Sequence, residues 1–281
     1  MIAAPPGPVD EWTAWWRDSE ADGCTAAFPP QVAAAIRTGW QQLLASLPAD
    51  ASLIDIGCGK GAVLALARAR GLSALTGVDA ARISGGDPAI MAGIDAASLP
   101  FADGQFTVAV SQFGVEYAGL ARAVSEAARV ARCQVWLLLH ASDGPVVGAA
   151  RELVVQADWL AGDAFPRLAR HAAAPDAASR ADLEALRTAL VARAETAANT
   201  SLLEAVWQAA GAQAETPDTA AVAGLAAEVA AWARRLDLLS HAAPDAAAVE
   251  ACAAGLRQAG WRVSVRDEGA PPAARWLLAN R

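Results

Sequence analysis

The stretch LIDIGCGKG, residues 53–61, decides the fold of this chain. Its apolar run is typical of a buried strand, but the run carries an acid, Asp55, and then gives way to glycines at alternate positions, Gly57, Gly59 and Gly61. A helical segment, GAVLALARARG, begins at the last of these glycines. Glycine lets another group approach the backbone closely, and a helix N-terminus offers free N–H groups. The stretch therefore predicts a strand, a turn and a helix that together bind a nucleotide.

Apolar runs and helical segments alternate over residues 52–140. The predicted strands are SLIDIG, ALTGVDA, AIMAGIDA, QFTVAVSQFG and QVWLLLH, and the helix AGLARAVSEAARVAR separates the last two. Apolar strands without polar alternation, separated by helices, indicate a parallel sheet covered on both faces. Further along, PDAAAVEACAAGLRQAG predicts a helix, and WRVSVRDEG and ARWLLANR predict two closing strands. We therefore expect an α/β fold with a doubly wound, mostly parallel seven-stranded sheet.

The remaining segments have helical patterns. Residues 9–48 contain two or three helical pieces, and residues 143–239 contain helical candidates and no convincing strand. This predicts a helical N-terminal segment and a large helical insertion before the last helix and strands, because a structureless loop of that length is improbable. Near the start, Trp12, Trp15 and Trp16 share one helical face. That face either packs in the core or covers a ligand.

Composition and charge exclude several function classes. The formal net charge of −8 disfavours a surface for the phosphate backbone of nucleic acids. The sequence contains no run of about 18–20 apolar residues and no basic segment followed by an apolar one near its start, so we expect neither a membrane span nor a signal peptide. The four cysteines are scattered, which predicts no metal site and no disulfide framework, and favours the cytoplasm.

The acid before the glycines separates two classes of nucleotide. Gly57, Gly59 and Ala62 satisfy the dinucleotide-binding pattern G-x-G-x-x-G/A, so an NAD enzyme has to be considered. Asp55, however, would face a pyrophosphate with like charge. The same carboxylate suits a cationic amino-acid portion, such as the α-ammonium and sulfonium of S-adenosylmethionine. Asp79, at the end of the next strand and 18 positions after Gly61, is suited to accept both hydroxyls of a ribose.

A third acid extends this pattern into a family resemblance. Asp95 follows the third predicted strand and opens the run D-x-x-x-L-P-F-x-D-x-x-F, which ends at Phe106. With these motifs the chain resembles the class I S-adenosylmethionine-dependent methyltransferases, in particular their broad small-molecule group, over residues 52–140 and more loosely over 243–281. One departure is Thr107, where the family usually has Asp. The resemblance implies a Rossmann-like core with S-adenosylmethionine as its cofactor.

The resemblance also assigns the cofactor residues. Asp95 would accept a hydrogen bond from the adenine amine, and Ser111 and Gln112, at the end of the fourth strand, would border the cofactor because ligands lie beyond the carboxyl ends of such strands. The full predicted cofactor set is Asp55, Gly57, Gly59, Gly61, Asp79, Ala80, Asp95, Ala96, Ser111 and Gln112.

Three further residues are candidates for catalysis. Glu116 and Tyr117 follow the fourth strand, where the transferred methyl would lie, and His140 ends the fifth strand at the same edge. An imidazole is the obvious general base near neutral pH. Each residue also has a structural interpretation: His140 closes a strand, Glu116 begins a helix, and Tyr117 packs in the core.

The pattern of strands and helices divides the chain into four parts, to which we assign distinct roles. Residues 1–49 form a helical lid, 50–142 the cofactor-binding core, 143–242 a helical insertion that caps the substrate, and 243–281 the return to the sheet. The insertion serves either as a roof over the acceptor or as a dimer surface. A run such as N-P-P-Y, which enzymes that methylate nucleic-acid amines use, does not follow the fourth strand.

Three functions stay open at this point. The first is transfer of a methyl group to an oxygen or nitrogen of a small organic acceptor in the cytoplasm. The second is a non-catalytic module that binds S-adenosylmethionine or S-adenosylhomocysteine and acts through protein partners. The third, an NAD-type oxidoreductase, rests on the glycine pattern alone.

Overall fold

A computed structural model describes residues 8–19, 23–26, 28–85 and 87–281. Seven strands form one sheet in the order β3-β2-β1-β4-β5-β7-β6. They are β1 (Leu53–Ile56), β2 (Leu75–Asp79), β3 (Ile90–Ala92), β4 (Phe106–Gln112), β5 (Ala131–His140), β6 (Arg262–Glu268) and β7 (Ala274–Asn280). The pairs from β3 to β5 are parallel, whereas β7 is antiparallel to both β5 and β6. The predicted seven-stranded, mostly parallel α/β fold is confirmed.

Ten α-helices are seen in the described part of the chain. They are α1 (Pro8–Asp18), α2 (Pro30–Ala45), α3 (Ala62–Ala69), α4 (Leu120–Val130), α5 (Pro145–Trp159), α6 (Phe165–Ala173), α7 (Ala177–Ala194), α8 (Ser201–Glu215), α9 (Thr219–Ala242) and α10 (Ala246–Gln258). Short 3₁₀ turns occupy Gly23–Thr25 and Val115–Ala118, and a π-helical turn, Leu160–Ala164, joins α5 to α6. None of the described helices is long and apolar enough to cross a membrane.

Helices cover the sheet on both faces. On one face, α4 and α10 share a buried apolar cluster with the β1 residues Ile54 and Ile56. On the other face, Trp40 of α2 packs edge to face against Trp276 of β7, with ring centroids 4.9 Å apart. Successive side chains of a strand point to opposite faces, so Asp55 of β1 points to the face that carries α2. This alternation decides which residues line the site.

The chain divides into two compact units. One comprises the described residues up to Val147 together with His241–Arg281, and the other is Gly148–Ser240. The second unit is helical and has its own apolar core, to which Leu168, Leu186 and Val206 belong. A capping box between Asp176 and Ser179 begins α7. The cap and dimer roles expected for 143–242, like the lid role of 1–49, stay predictions.

The structure corrects several strand boundaries. The third strand ends at Ala92, so Asp95 lies three residues beyond it instead of at its end. The fifth begins at Ala131, earlier than the predicted QVWLLLH. The unusual Thr107 lies inside β4, where its hydroxyl accepts from the Ser52 N–H at 3.1 Å and its own N–H donates to the Ser52 hydroxyl at 2.9 Å. These bonds hold β4 to the start of β1 without the usual acid.

A backbone contact beyond the strand ends gives the first prediction. Gly57 has φ +67°, and a Cβ there would lie 2.7 Å from the Gly114 Cα. Gly57→Ala should therefore lower the free energy of unfolding by about 3 kcal/mol, since left-handed strain and a backbone clash add up. Gly71→Ala is the matched control, because Gly71 has φ +96° with open space around it and should cost only about 1 kcal/mol. Urea denaturation measures both, and equal losses would contradict the contact.

Candidate functional site

The turn after β1 is tied to the end of β2. The N–H groups of Gly57 and Cys58 donate to the Val78 carbonyl at 2.8 and 3.0 Å, and the Gly59 N–H donates to the Asp79 carboxylate at 2.8 Å. The turn therefore passes directly over the end of β2. The glycine turn, which precedes α3, is therefore hydrogen-bonded to Asp79 at the end of β2.

Protein atoms make the close approaches at the glycines. At Gly57 the neighbour is the backbone of Gly114, which follows β4. At Gly59, with φ +52°, an added Cβ would lie 2.1 Å from Cζ2 of the Trp16 indole. At Gly61 it would lie 3.1 Å from the Cβ of Asp87. The sequence alone led us to expect a ligand at these glycines, and in this structure an aromatic side chain lies over Gly59.

Asp55 is buried with an unsatisfied carboxylate oxygen. Its side chain is 1% exposed, and Oδ1 has no hydrogen-bond partner among the described residues. Burial, reinforced by the nearby charge of Asp79, raises the pKa of Asp55 to about 8. The carboxyl borders a cavity of about 20 Å³. The lining residues are Trp16, Cys24, Asp55, Gly57, Cys58, Ala62, Val63 and Gln112.

Asp79 is held by two backbone donors. One carboxylate oxygen accepts from the Gly59 N–H and the other from the Ala81 N–H, both at 2.8 Å. Burial raises the pKa of Asp79, and the two backbone hydrogen bonds oppose this shift. Each oxygen keeps a further lone pair, so the carboxylate retains the capacity to accept from a ribose. The predicted neighbour Ala80 is exposed.

Asp95 lies farther out than the other two acids. The Ile94 N–H donates to the Asp79 carbonyl at 3.0 Å, which brings the Asp95 backbone next to the end of β2. The Asp95 side chain is exposed and accepts from the Ala97 N–H at 2.8 Å, while Ala96 is buried. Asp79 is close enough to Asp55 to act on it electrostatically, and the backbone puts Asp95 beside Asp79.

The residues that end β4 are engaged in structural bonds. Ser111 is fully buried, and its hydroxyl accepts from the Val115 N–H at 3.2 Å, which holds the following 3₁₀ turn. Gln112 borders the cavity, and its side-chain oxygen accepts from the Trp40 indole N–H at 2.6 Å. Phe113 has φ +57°, a strained conformation for an aromatic residue. Strain of this kind is concentrated at functional sites.

Glu116 and His140 form a buried pair. Glu116 Oε1 accepts from the His140 N–H at 3.2 Å and lies 2.9 Å from the ring Nδ1. The second oxygen, Oε2, has no hydrogen-bond partner in the described part of the chain. The imidazole stacks on Phe113 at 4.2 Å between centroids and lies 6.1 Å from the Phe28 ring. In the tautomer that carries the proton on Nδ1, this nitrogen donates to Glu116 and Nε2 is the acceptor of the ring.

Tyr117 and Cys24 lie beside this pair. The Tyr117 ring contacts Trp12 edge to face at 5.0 Å. Burial and the charge of Glu116 raise the pKa of Tyr117 well above its ordinary value. Burial, together with the charges of Asp79 and Glu116, raises the pKa of Cys24 to about 12. The thiol is thus electrostatically coupled to acids that follow β2 and β4, and neither it nor the phenol is a ready nucleophile.

Several residues at this site were not among the predicted site residues, although Trp16 had been noted as part of a helical face. Trp16, Cys24, Phe28, Phe113 and Gly114 all contact or border the predicted site residues. Gly114, two residues after the end of β4, is a usable signal, because it resembles the glycine after β1. In the described part of the chain, no three His, Cys, Asp or Glu side chains cluster in a way that could hold a metal ion.

Comparison with known families explains this arrangement. The family model described as "Methyltransferase domain" matches residues 54–139, which run from β1 to the end of β5. Residues 54–139 are thus similar to a methyltransferase domain. The match confirms the resemblance to class I S-adenosylmethionine-dependent methyltransferases, and S-adenosylmethionine is the cofactor that such a domain implies. The comparison with curated proteins gives no match.

Solved structures resemble the methyltransferase domain over part of their length. A SAM-dependent methyltransferase from Methanosarcina mazei is 24% identical, covering 34% of this chain and 56% of that one, with a TM-score of 0.30. The YcgJ protein from Bacillus subtilis is 26% identical, covering 45% of this chain and 59% of that one, with a TM-score of 0.34. Geranyl diphosphate C-methyltransferase from Streptomyces coelicolor is 18% identical, covering 48% of this chain and 66% of that one, with a TM-score of 0.35. Each match spans less than two thirds of the other chain.

The buried acid gives a prediction about stability and pH. The pKa of Asp55 is about 8 in the folded protein against an ordinary value of 3.8, so the folded state binds the proton more tightly. Its contribution to stability is therefore complete at low pH and is lost as pH rises through about 8. Asp55→Asn, which stays neutral, should match the wild type near pH 4 and exceed it by about 2–5 kcal/mol at pH 9.

Urea denaturation across this pH range measures the effect. Asp50→Asn is the control, because Asp50 is exposed in the loop before β1 and should leave the pH dependence unchanged. If Asp55→Asn followed the wild-type curve at every pH, the raised pKa would be wrong.

Proposed function

We propose that this protein transfers a methyl group from S-adenosylmethionine to an oxygen or nitrogen nucleophile of a small organic acceptor. The observation that carries the proposal is the Asp55 carboxyl, which is buried beside the glycine turn with one oxygen unpartnered among the described residues. A cationic group stabilises the ionised form of such a buried acid, whereas a pyrophosphate would destabilise that form. The family of residues 54–139 supports the same cofactor.

The residues present fit this cofactor. Asp55 would hold the cationic amino-acid portion, and Asp79 would accept from the ribose hydroxyls through its remaining lone pairs. Asp95, exposed beside Asp79, would accept from the adenine amine. Gly59 keeps the floor of the cleft free of a side chain. The same acids disfavour the NAD alternative, because Asp55 lies at the position where a dinucleotide would bring its phosphates.

The chain's own contribution to the reaction is orientation, exclusion of water and removal of a proton. S-adenosylmethionine, when bound, supplies an electrophilic methyl group on a sulfonium. His140 ends β5 beside this cleft and would take the proton of the acceptor on Nε2. Glu116, whose side chain contacts the histidine twice, would act through it by fixing the tautomer and stabilising the imidazolium. Glu116 is thus a positioning residue in this scheme, not a direct contact of the methyl group.

The cysteines and the net charge bear on the compartment and on the class of acceptor. All four cysteines are free, which suits a reducing compartment such as the cytoplasm. The acidic net charge supports a small molecule over nucleic acid as the acceptor. A homodimer through residues 143–242 stays a proposal of the same kind, and its test is the mass in solution.

Binding of S-adenosylhomocysteine tests the cofactor assignment. Calorimetry should detect binding in the micromolar range, and Asp79→Ala should weaken it by about 1.5–3 kcal/mol, because a charge-assisted acceptor of the ribose is lost. Asp50→Ala is the control for removal of a negative charge and should bind like the wild type. If folded wild-type protein gave no binding heat, the proposed function would be overturned.

The acceptor can be found without knowing its class in advance. Protein and S-adenosylmethionine are added to a metabolite extract, and mass spectrometry identifies compounds that gain the mass of a methyl group. A methylated product supports the enzyme. Cofactor binding without any methylated product would favour the non-catalytic module.

The histidine pair gives a prediction about pH and rate. With the acceptor in hand, His140→Ala should lower kcat by about 10²–10⁴-fold, which is the usual contribution of a general base. Glu116→Gln keeps an oxygen opposite Nδ1 but removes the charge that stabilises the imidazolium, so the pH–rate profile should shift toward acid with KM little changed. Steady-state kinetics across pH measure both variants. An unchanged rate and profile in His140→Ala would make the histidine structural.

A further inference from the structure

The helix α1 lies across the glycine turn. Trp16 is only 6% exposed, and its indole lies against Gly59, in the space that any side chain at that position would fill. The indole is therefore the reason why position 59 tolerates no side chain in this structure. The indole therefore covers the turn on which the proposed function places the cofactor.

Three further contacts hold the segment that carries Trp16. The Lys60 ammonium, in the glycine turn itself, donates to the Ser19 carbonyl at 2.5 Å. The Arg82 N–H, after β2, donates to the Thr13 hydroxyl at 3.1 Å. Beyond β4, Trp12 contacts the Tyr117 ring. The segment is thus attached to the loops that follow β1, β2 and β4, which are the three loops that border the site.

The space left beneath the segment is too small for a nucleoside. The cavity bordered by Trp16, Cys24 and Asp55 has a volume of about 20 Å³. That is enough for roughly one water molecule, whereas pockets for ligands of cofactor size have about 300–1,000 Å³. A ligand cannot reach Asp55 and Gly59 while Trp16 occupies this position.

We infer that α1 is a plug of the cofactor cleft, with Trp16 as its tip, and that it must withdraw before the cofactor binds. The inference rests on the proposed function, since it assigns the cleft to S-adenosylmethionine. Withdrawal of α1 breaks the contacts of Thr13 and Ser19 with the loops and uncovers Trp16, which is a local opening of the kind that native proteins undergo without unfolding globally. Only molecules in the open state can bind the cofactor. The apparent affinity for the cofactor is therefore the affinity of the open state multiplied by the fraction of molecules that are open.

Two measurements on the full chain test the plug. Hydrogen exchange followed by mass spectrometry should show faster exchange at the amides of α1 and slower exchange at residues 57–61 when S-adenosylhomocysteine is added. In parallel, Trp16→Ala should bind S-adenosylhomocysteine about tenfold more tightly than the wild type, because the competitor for the cleft has been removed. Trp15→Ala is the matched control, since the Trp15 ring contacts Trp12 and Trp16 and should change the affinity less.

The outcomes separate the plug from the proposed function. If the wild type binds but Trp16→Ala binds equally or more weakly, and α1 exchanges more slowly with ligand, the helix is a cover over bound cofactor and the inference is overturned. If neither folded protein binds, the proposed function itself fails and the plug fails with it. Should Trp16→Ala not fold, the exchange measurement on the wild type decides alone.

Discussion

The site depends on one electrostatic constraint, which is a carboxyl group held out of water without a full set of partners. Asp55 belongs to a strand buried along its whole length, and the alternation of side chains along β1 directs it toward the cleft. An isolated buried charge is costly, so the group keeps its proton to higher pH than usual. The glycine turn after β1, the carboxylate of Asp79 and the helix α1 are all arranged around this buried group.

Much of the fold was predictable because its signals are local. The apolar composition of β1, β4 and β5 and the helical segments between them lie within short windows of sequence, and all seven strands were predicted. The boundaries were less accurate where the sheet is irregular. The edge strand β3 has only three residues, and β5 begins beside a register shift in its pairing with β4. Neither feature leaves a mark in composition.

The site was predictable where residues follow strands and not where distant segments meet. Asp55 and Asp79 could be assigned to one edge of the sheet from sequence, because the carboxyl ends of parallel strands share an edge. The contact of Glu116 with His140 joins residues 24 apart in sequence. The contact of Trp16 with Gly59 joins a helix that precedes the sheet to the turn that follows β1. Such contacts are decided by tertiary packing. The tryptophan face could be recognised in sequence, but not which group it would cover.

The placement of β7 affects how the protein folds. This strand lies between β5 and β6 and pairs with β5 along its whole length, up to His140, while Arg275 bridges to Asp143, 132 residues earlier in the chain. Pairing at such separation is slow, because the loop has to close before any contact stabilises it. The intervening unit, Gly148–Ser240, has its own apolar core, so it can become ordered first and shorten the search. We therefore expect the pairing of β7 with β5, the strand that ends at His140, to form late in folding.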